Sequence, residues 1–287
     1  MKNIPEFPEI SPVTIEMRPV LHPLFQALSP EISELSFANL YLFRNVHNYA
    51  ATSLEGGLLA ITGNDFGTPF FMLPFGLPGD ALLKRLFQSF GQMKAAAAEQ
   101  ARELQGRGYE ISEDRDNFDY LYSREELSKL SGRKFHRKKN LVNAFVGKYR
   151  FEGRPLLAEY MDDALFVNEE WKKGSRVPGD YEAAKEALQN MDSLQLCGGI
   201  YYVEGKPAAF TLGEELNPST FVIHFEKGVG DYKGLLQFVN QSFAAILPDK
   251  YALINREQDL GDEGLRQAKE SYKPVGFVRK FRARMPG

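Results

Sequence analysis

The stretch that most constrains this chain lies between residues 198 and 225. Three apolar runs, at 198–203, 208–213 and 220–225, are separated by short polar turns, Glu204-Gly205-Lys206 and Asn217-Pro218-Ser219. Turns that short join antiparallel neighbours, so the runs form a meander. From Gly234 onward, Leu235, Leu236, Phe238, Val239, Phe243, Ile246 and Leu247 recur at helical spacing and supply an apolar stripe to lay on that sheet. A strand at 251–255, a polar helix at 262–271 and a final strand at 275–284 complete the order β-β-β-α-β-α-β.

The first half repeats part of that pattern. Runs at 57–62 and 69–74 flank the turn signal Gly63-Asn64-Asp65 and read as a hairpin. A single helix is expected over 78–106, with Leu82, Leu83, Leu86, Phe87 and Phe90 on one stripe, an alanine run behind it, and Gly106 and Gly108 as its stop. A strand at 118–122 follows, giving β-β-α-β. Helical patterns at 124–130 and 134–145 come next, then at 160–171 and 180–191, the last two separated by a Gly/Ser/Pro-containing connector at 174–179. With 287 residues the chain exceeds ordinary single-domain size. The reading is an α/β (α+β) chain of two lobes, 1–150 and 151–287, with the boundary inside 148–153.

Composition narrows the function classes. Hydrophobic residues at 43% and charged residues at 25% leave enough apolar material for real cores. Charges, Pro and Gly break every apolar run before the roughly 18 residues a membrane helix needs, so no integral membrane association is expected. Residues 1–12 lack the basic start and apolar middle of a secretory leader. Cys197 alone allows no intramolecular disulfide, and His22, His47, His136 and His224 show no metal-ligand spacing, so no metal site and a cytoplasmic location are expected. A net charge of −3 confines any binding of nucleic acid or an anionic surface to local patches. Neither a phosphate-binding P-loop nor a serine-elbow motif is present.

Three longer motifs carry a resemblance. Ile200-Tyr201-Tyr202-Val203-Glu204-Gly205-Lys206-Pro207-Ala208, His224-Phe225-Glu226-Lys227 and Asn255-Arg256-Glu257-Gln258-Asp259-Leu260-Gly261 resemble the DUF2156 family, which is similar to the soluble C-terminal domain of phosphatidylglycerol lysyltransferases. Asp119-Tyr120-Leu121-Tyr122 and Gly132-Arg133-Lys134-Phe135-His136-Arg137-Lys138-Lys139-Asn140 extend it over nearly the whole chain. The resemblance implies two tandem acyltransferase folds of the GNAT type, as in enzymes that move an aminoacyl group from a charged tRNA to an amine or lipid acceptor. One departure bears on the cofactor. Coenzyme-A-using GNAT proteins carry an Arg/Gln-x-x-Gly-x-Gly/Ala loop whose amides hold a pyrophosphate, whereas here Phe225 stands in the Arg/Gln position and Glu226 and Asp231 add negative charge. The resemblance admits coenzyme A, but the loop does not favour it.

Several constellations have both a chemical and a plain reading. Gly228, Gly230 and Gly234, with Lys227 and Lys233, form either an anion-binding helix entrance or an ordinary strand-to-helix turn. Tyr232 is a proton donor there or a packing aromatic. The run Asn255, Arg256, Glu257, Gln258 and Asp259 follows an apolar strand, where loops commonly carry chemistry. With Glu226 it supplies two carboxylates and an arginine, able to bind an amine or deprotonate it. The alternative is an internal salt-bridge brace. Tyr272 and Lys273 are candidate ligand contacts, and Lys269 favours a helix C-terminus in any case. Arg133, Lys134, His136, Arg137, Lys138 and Lys139 make one basic cluster, a dock for phosphate or a solvated helix face, and His136 and Asn140 share a side of it. Cys197 reads as buried structure rather than a nucleophile.

Together these features describe an acyl- or aminoacyl-transferase with Glu226, Tyr232 and Glu257 as catalytic candidates and a small molecule or headgroup as acceptor. The rival reading is a catalytically silent module of the same fold that binds a small molecule or protein.

Overall fold

The computed structural model describes residues 4–174 and 179–287, so the middle of the connector read at 174–179 lies outside the described residues. In chain order the first strands are β1 Ser11–Pro12, β2 Ala50–Ser53, β3 Leu59–Asp65, β4 Thr68–Met72, β5 Gln92–Ala96, β6 Glu110–Glu113 and β7 Asp119–Ser123. Then follow β8 Phe151–Pro155, β9 Cys197–Val203, β10 Lys206–Asn217, β11 Thr220–Gly228, β12 Leu253–Asn255, β13 Gly276–Val278 and β14 Phe281–Arg284. They form two sheets, in the orders β1-β2-β3-β4-β5-β14-β6 and β13-β7-β12-β11-β10-β9-β8.

Read from β8, the second sheet repeats the first step for step. Four strands pair antiparallel, one parallel step follows, β4 to β5 or β11 to β12, and antiparallel pairing resumes with β14 or β7. The sixth position is exchanged between the two halves of the chain: β7, which follows β6, enters the second sheet, and β14, which follows β13, returns to the first. This places the compact units at Met1–Asp119 with Val278–Gly287, and at Tyr120–Phe277. The boundary expected inside 148–153 is therefore corrected. The span runs from the end of helix His136–Lys148 into edge strand β8, which pairs residue for residue with β9, and it reads as a linker because an exposed edge needs no apolar alternation.

Two element readings are corrected for related reasons. The segment 275–284 is not one strand but β13 and β14, in different sheets. The helix expected over 78–106 is two helices, Asp80–Phe90 and Ala98–Gly106, with β5 between them. Gly91, at φ 77°, ends the first helix in a conformation that glycine adopts freely. Every residue of β5 is buried. Alanine favours a helix over other states by under about 1 kcal/mol per residue, whereas burying a side chain the size of Met93 is worth roughly 1.5–3 kcal/mol, so the sheet prevails. The hairpin at 57–74 forms, with its turn at 66–67 rather than at 63–65.

The first unit packs Leu54, Phe71, Leu83, Leu86, Phe87, Met93 and Leu104 into one core. In the second unit, helix Leu235–Ile246 lays Phe243 and Ala244 on Phe221, Ile223 and Ile254. Its inner end packs Leu235 and Val239 against Tyr201, Val203 and Ala209.

Candidate functional site

The site is built where β11 and β12 part. Their last paired residues are Val222 and Asn255. On its other side β11 pairs Ile223 with Gly213 and Phe225 with Leu212, so His224 is an extra, bulged residue. Such bulges re-aim a side chain, and here the imidazole lies between two carboxylates. Nδ1 is 2.8 Å from Glu257 Oε1 and Nε2 is 3.1 Å from Glu214 Oε1. Burial alone would lower the imidazole's pKa, but the flanking carboxylates outweigh it and push the value up to about 10. At neutral pH His224 is an imidazolium donating from both nitrogens, so it bridges the carboxylates and cannot act as a base.

Beyond Asn255 the backbone is held in a defined bend. Asn255 Oδ1 accepts from the Glu257 amide at 2.8 Å, and Glu257 takes φ 54°. Lys269 donates to the Arg256 carbonyl at 2.6 Å and to the Gln258 carbonyl, gripping the bend on both sides of Glu257. As a result Glu257 meets His224 while Arg256 Nη2 meets Glu226 Oε1 at 2.8 Å. Asn240, from helix Leu235–Ile246, donates to Glu226 Oε2 at 3.4 Å. Tyr272 lies under two cations, Lys138 Nζ at 3.9 Å and the Arg256 guanidinium at 5.3 Å from its ring centre. Burial, and secondarily Arg256, lower the Lys138 pKa, and burial holds the Tyr272 phenol up at about 12.

The expected residues divide clearly. Glu226, Asn255, Arg256, Glu257, Tyr272 and Lys138 come together, the last from helix His136–Lys148. Tyr232 instead stands edge-on to Tyr149, 5.2 Å between ring centres, in an aromatic cluster with Phe145 and Phe238. Lys227 is no loop cation: it is buried over the Trp171 ring at 3.3 Å and paired with Asp180. The glycines answer to packing. A Cβ on Gly228 would stand 2.8 Å from Leu236, one on Gly230 2.5 Å from Tyr232, and one on Gly234 2.3 Å from the Leu141 carbonyl oxygen. Close packing accounts for these three glycines, and Lys233 is exposed beside them. Asp259 is a brace, fully buried, accepting from Tyr120 Oη at 2.6 Å and from Arg266 at 2.8 and 2.9 Å, and well below the usual carboxylate range despite its burial. Lys273 is exposed at a helix end with φ 57°. Cys197 is exposed rather than buried.

His136 and Lys139 join Leu130, Ser131, Gly132 and Arg133 around a cavity of about 480 Å³. Three of its linings are basic and none is acidic. Asn140, one residue on, is exposed. Glu214 and His224 are the site members that the sequence reading passed over. Their signal was a charged or titratable side chain inside an otherwise apolar strand. Among the described residues no group of His, Cys, Asp or Glu is arranged to hold a metal ion, and both His224 nitrogens are engaged by carboxylates.

Comparison with known proteins adds family information. The family model described as "Phosphatidylglycerol lysyltransferase, C-terminal" matches residues 25–284. A conserved protein of unknown function from Bacteroides thetaiotaomicron shares 30% identity and a TM-score of 0.87, over 96% of this chain and 99% of that one. L-PGS from Bacillus licheniformis shares the fold at 15% identity, with a TM-score of 0.60 over 92% of this chain and 91% of its own. An uncharacterised protein of Mycoplasmoides gallisepticum is 24% identical over 184 residues, 60% of this chain and 56% of that protein, so the chain matches little more than half of that curated relative.

Proposed function

Because the chain belongs to the phosphatidylglycerol lysyltransferase C-terminal family and has its tandem GNAT-like fold, we propose that it transfers an aminoacyl group from the ester of a charged tRNA to an amine or hydroxyl acceptor, a small molecule or a lipid headgroup. The acceptor nitrogen or oxygen attacks the ester carbonyl, the bond from acyl carbon to ribose oxygen breaks, and the acceptor's proton ends on the ribose hydroxyl. Such a reaction needs orientation and charge stabilisation more than a protein nucleophile. Arg256 and Lys138 are the cations placed to meet the developing oxyanion. Glu226 aims the guanidinium, and His224 with Lys269 fixes the bend that presents it. The basic cavity at Arg133, His136 and Lys139 is the candidate dock for donor phosphates. Glu257, engaged by His224, serves as a positioning group rather than as a free base.

The observation that carries this reading is the Arg256–Glu226 pair at the parting of β11 and β12, with Lys138 beside it. The engagement of both Glu226 and Glu257 by cations is what favours the rival reading, a binding module without turnover. A transfer assay separates them: a tRNA pool charged with labelled amino acids is incubated with the protein and a cell lipid and metabolite extract. Label moving into an acceptor, and failing to move with Arg256→Met, supports transfer. Retention of charged tRNA on the protein with no acceptor labelled supports the module.

A further inference from the structure

One group of buried polar atoms beside Arg256 has no part in that reaction. Thr211 on β10 stands opposite Glu226 on β11 and, on its other side, opposite Gly199 on β9. Directly opposed residues project from the same face of a sheet, so the Thr211 and Glu226 side chains are neighbours. Thr211 is fully buried, and its hydroxyl has no hydrogen-bond partner. Asn240, 1% exposed, donates its Nδ2 to Glu226 Oε2, while its Oδ1 has no partner. That bond settles which end of the amide is free: it is the acceptor. The Tyr201 ring covers Gly199 on the same side, where a Cβ would come within 3.2 Å of the phenol oxygen.

The chemistry of the open positions is specific. Arg256 occupies Glu226 Oε1, leaving Oε2 held only by the long bond from Asn240. Oε2 is itself a carboxylate acceptor, Asn240 bonded to it leaves its amide oxygen open, and Thr211 on the neighbouring strand brings a hydroxyl that can accept. An anion would be repelled by Glu226 and would face Asn240 Oδ1, which cannot donate. A carbonyl could accept from the Thr211 hydroxyl but would leave Glu226 Oε2 and Asn240 Oδ1 facing another acceptor. A primary ammonium offers three N–H donors to three acceptors and brings the charge that a desolvated carboxylate favours.

We infer that Thr211, Asn240 and Glu226 form a subsite for a primary ammonium group, the α-ammonium of the aminoacyl donor. This rests on the proposed aminoacyl transfer and names the part of the donor that the site recognises. In an aminoacyl ester the amine lies two bonds from the carbonyl carbon, so an ammonium on Glu226 Oε2 sets the carbonyl beside the guanidinium on Oε1. One carboxylate thereby aligns the ester and the cation that polarises it.

The test is a ligand-observed NMR titration of the full chain with alaninamide, an unreactive stand-in for the ester, and with N-acetylalaninamide, whose amine is capped. Wild type, Thr211→Val and Asn240→Leu are compared, each also melted without ligand. Alaninamide should bind wild type and the capped compound should not. Thr211→Val should lose affinity roughly tenfold, the size expected for a hydrogen bond to a charged group, while its unliganded melting temperature stays level or rises, because it deletes a hydroxyl that no protein group satisfies. Equal binding of the capped compound would overturn the inference. So would a Thr211→Val protein that melts lower yet binds alaninamide as wild type does, since the three groups would then brace a buried water. If wild type transfers label from charged tRNA and Thr211→Val does so with unchanged KM, the reaction stands and the subsite falls. If alaninamide binds through Thr211 but no charged tRNA donates, the subsite stands and the reaction falls.

Discussion

The two units set down the same order of strands and treat the parallel step in opposite ways. In the first, Phe71 on β4 pairs with Met93 on β5, and both are fully buried among Leu83, Leu86 and Phe87. The charges beside that step close on one another: His47 Nδ1 lies 2.7 Å from Asp65, and Lys94 pairs with the same carboxylate. A second charged set, Lys280 between Asp119 and Glu34, is sealed more deeply, with Ser33 donating backbone and side-chain bonds to Asp119 at 2.9 Å. In the second unit the step runs out into a bulged His224, a left-handed Glu257 and polar atoms that no protein group satisfies. A shared pairing pattern thus makes a scaffold. Chemistry is read where local rules are broken on that scaffold.

The largest expected effect breaks the scaffold. Deleting residues 279–287 removes β14 from between β5 and β6, and the first sheet should lose its cooperative unfolding transition, a loss on the scale of a whole domain's stability, about 5–15 kcal/mol. Survival of the wild-type transition by circular dichroism would show that β14 is dispensable. Next in size, Lys280→Met leaves Asp119 and Glu34 buried without their cation and should cost about 3–5 kcal/mol. Denaturant melts measure it, and a loss below about 1 kcal/mol would mean the cluster is not a sealed ion pair.

A smaller effect separates the units by pH. The folded pKa of His224, about 10, lies above the ordinary imidazole value. Its contribution is therefore fully present below about pH 6.5 and is lost as pH rises towards 10, so stability should fall by roughly 2–3 kcal/mol between about pH 7 and 9. Asp119, raised by burial to about 6, has finished titrating below that window. The slope should vanish in His224→Gln, and a slope that survives the substitution belongs to another group. Smallest of all, Lys139→Ala should leave stability within about 0.5 kcal/mol and reduce the dependence of log tRNA affinity on log salt by about one contact. An unchanged salt slope would remove the cavity from the donor's path.

How much was legible in the sequence follows the same division. The meander from 197 to 228 and the helix on it were readable because turn chemistry and spacing agree there. β5 was not, since an alanine run favours a helix until the sheet on both sides claims it. The strand exchange was hidden because 275–284 is continuously strand-like, and nothing local marks Lys280 as the point where the chain changes sheets. At the site, Glu226, Arg256, Glu257 and Tyr272 stood out as polar groups beside apolar strands. His224 was passed over because a bulge is a property of pairing, not of composition. Lys138 was grouped with the basic face of its helix, although its ammonium lies on Tyr272. The unsatisfied Thr211 hydroxyl and Asn240 Oδ1 become visible only when neighbouring strands and the covering helix are in place.

The most direct test of the central claim, that the parting of β11 and β12 is where transfer occurs, is the single-turnover rate of aminoacyl transfer in Arg256→Met, measured beside its melting temperature. The guanidinium lies beside Glu226 where an oxyanion would form, so the rate of protein kept folded at low temperature should fall about 10²–10³-fold, alongside a stability loss of up to about 3–5 kcal/mol from leaving Glu226 without its cation. A variant that melts far lower but, kept folded at low temperature, transfers at the wild-type rate would contradict the assignment and leave Arg256 and Glu226 as a brace.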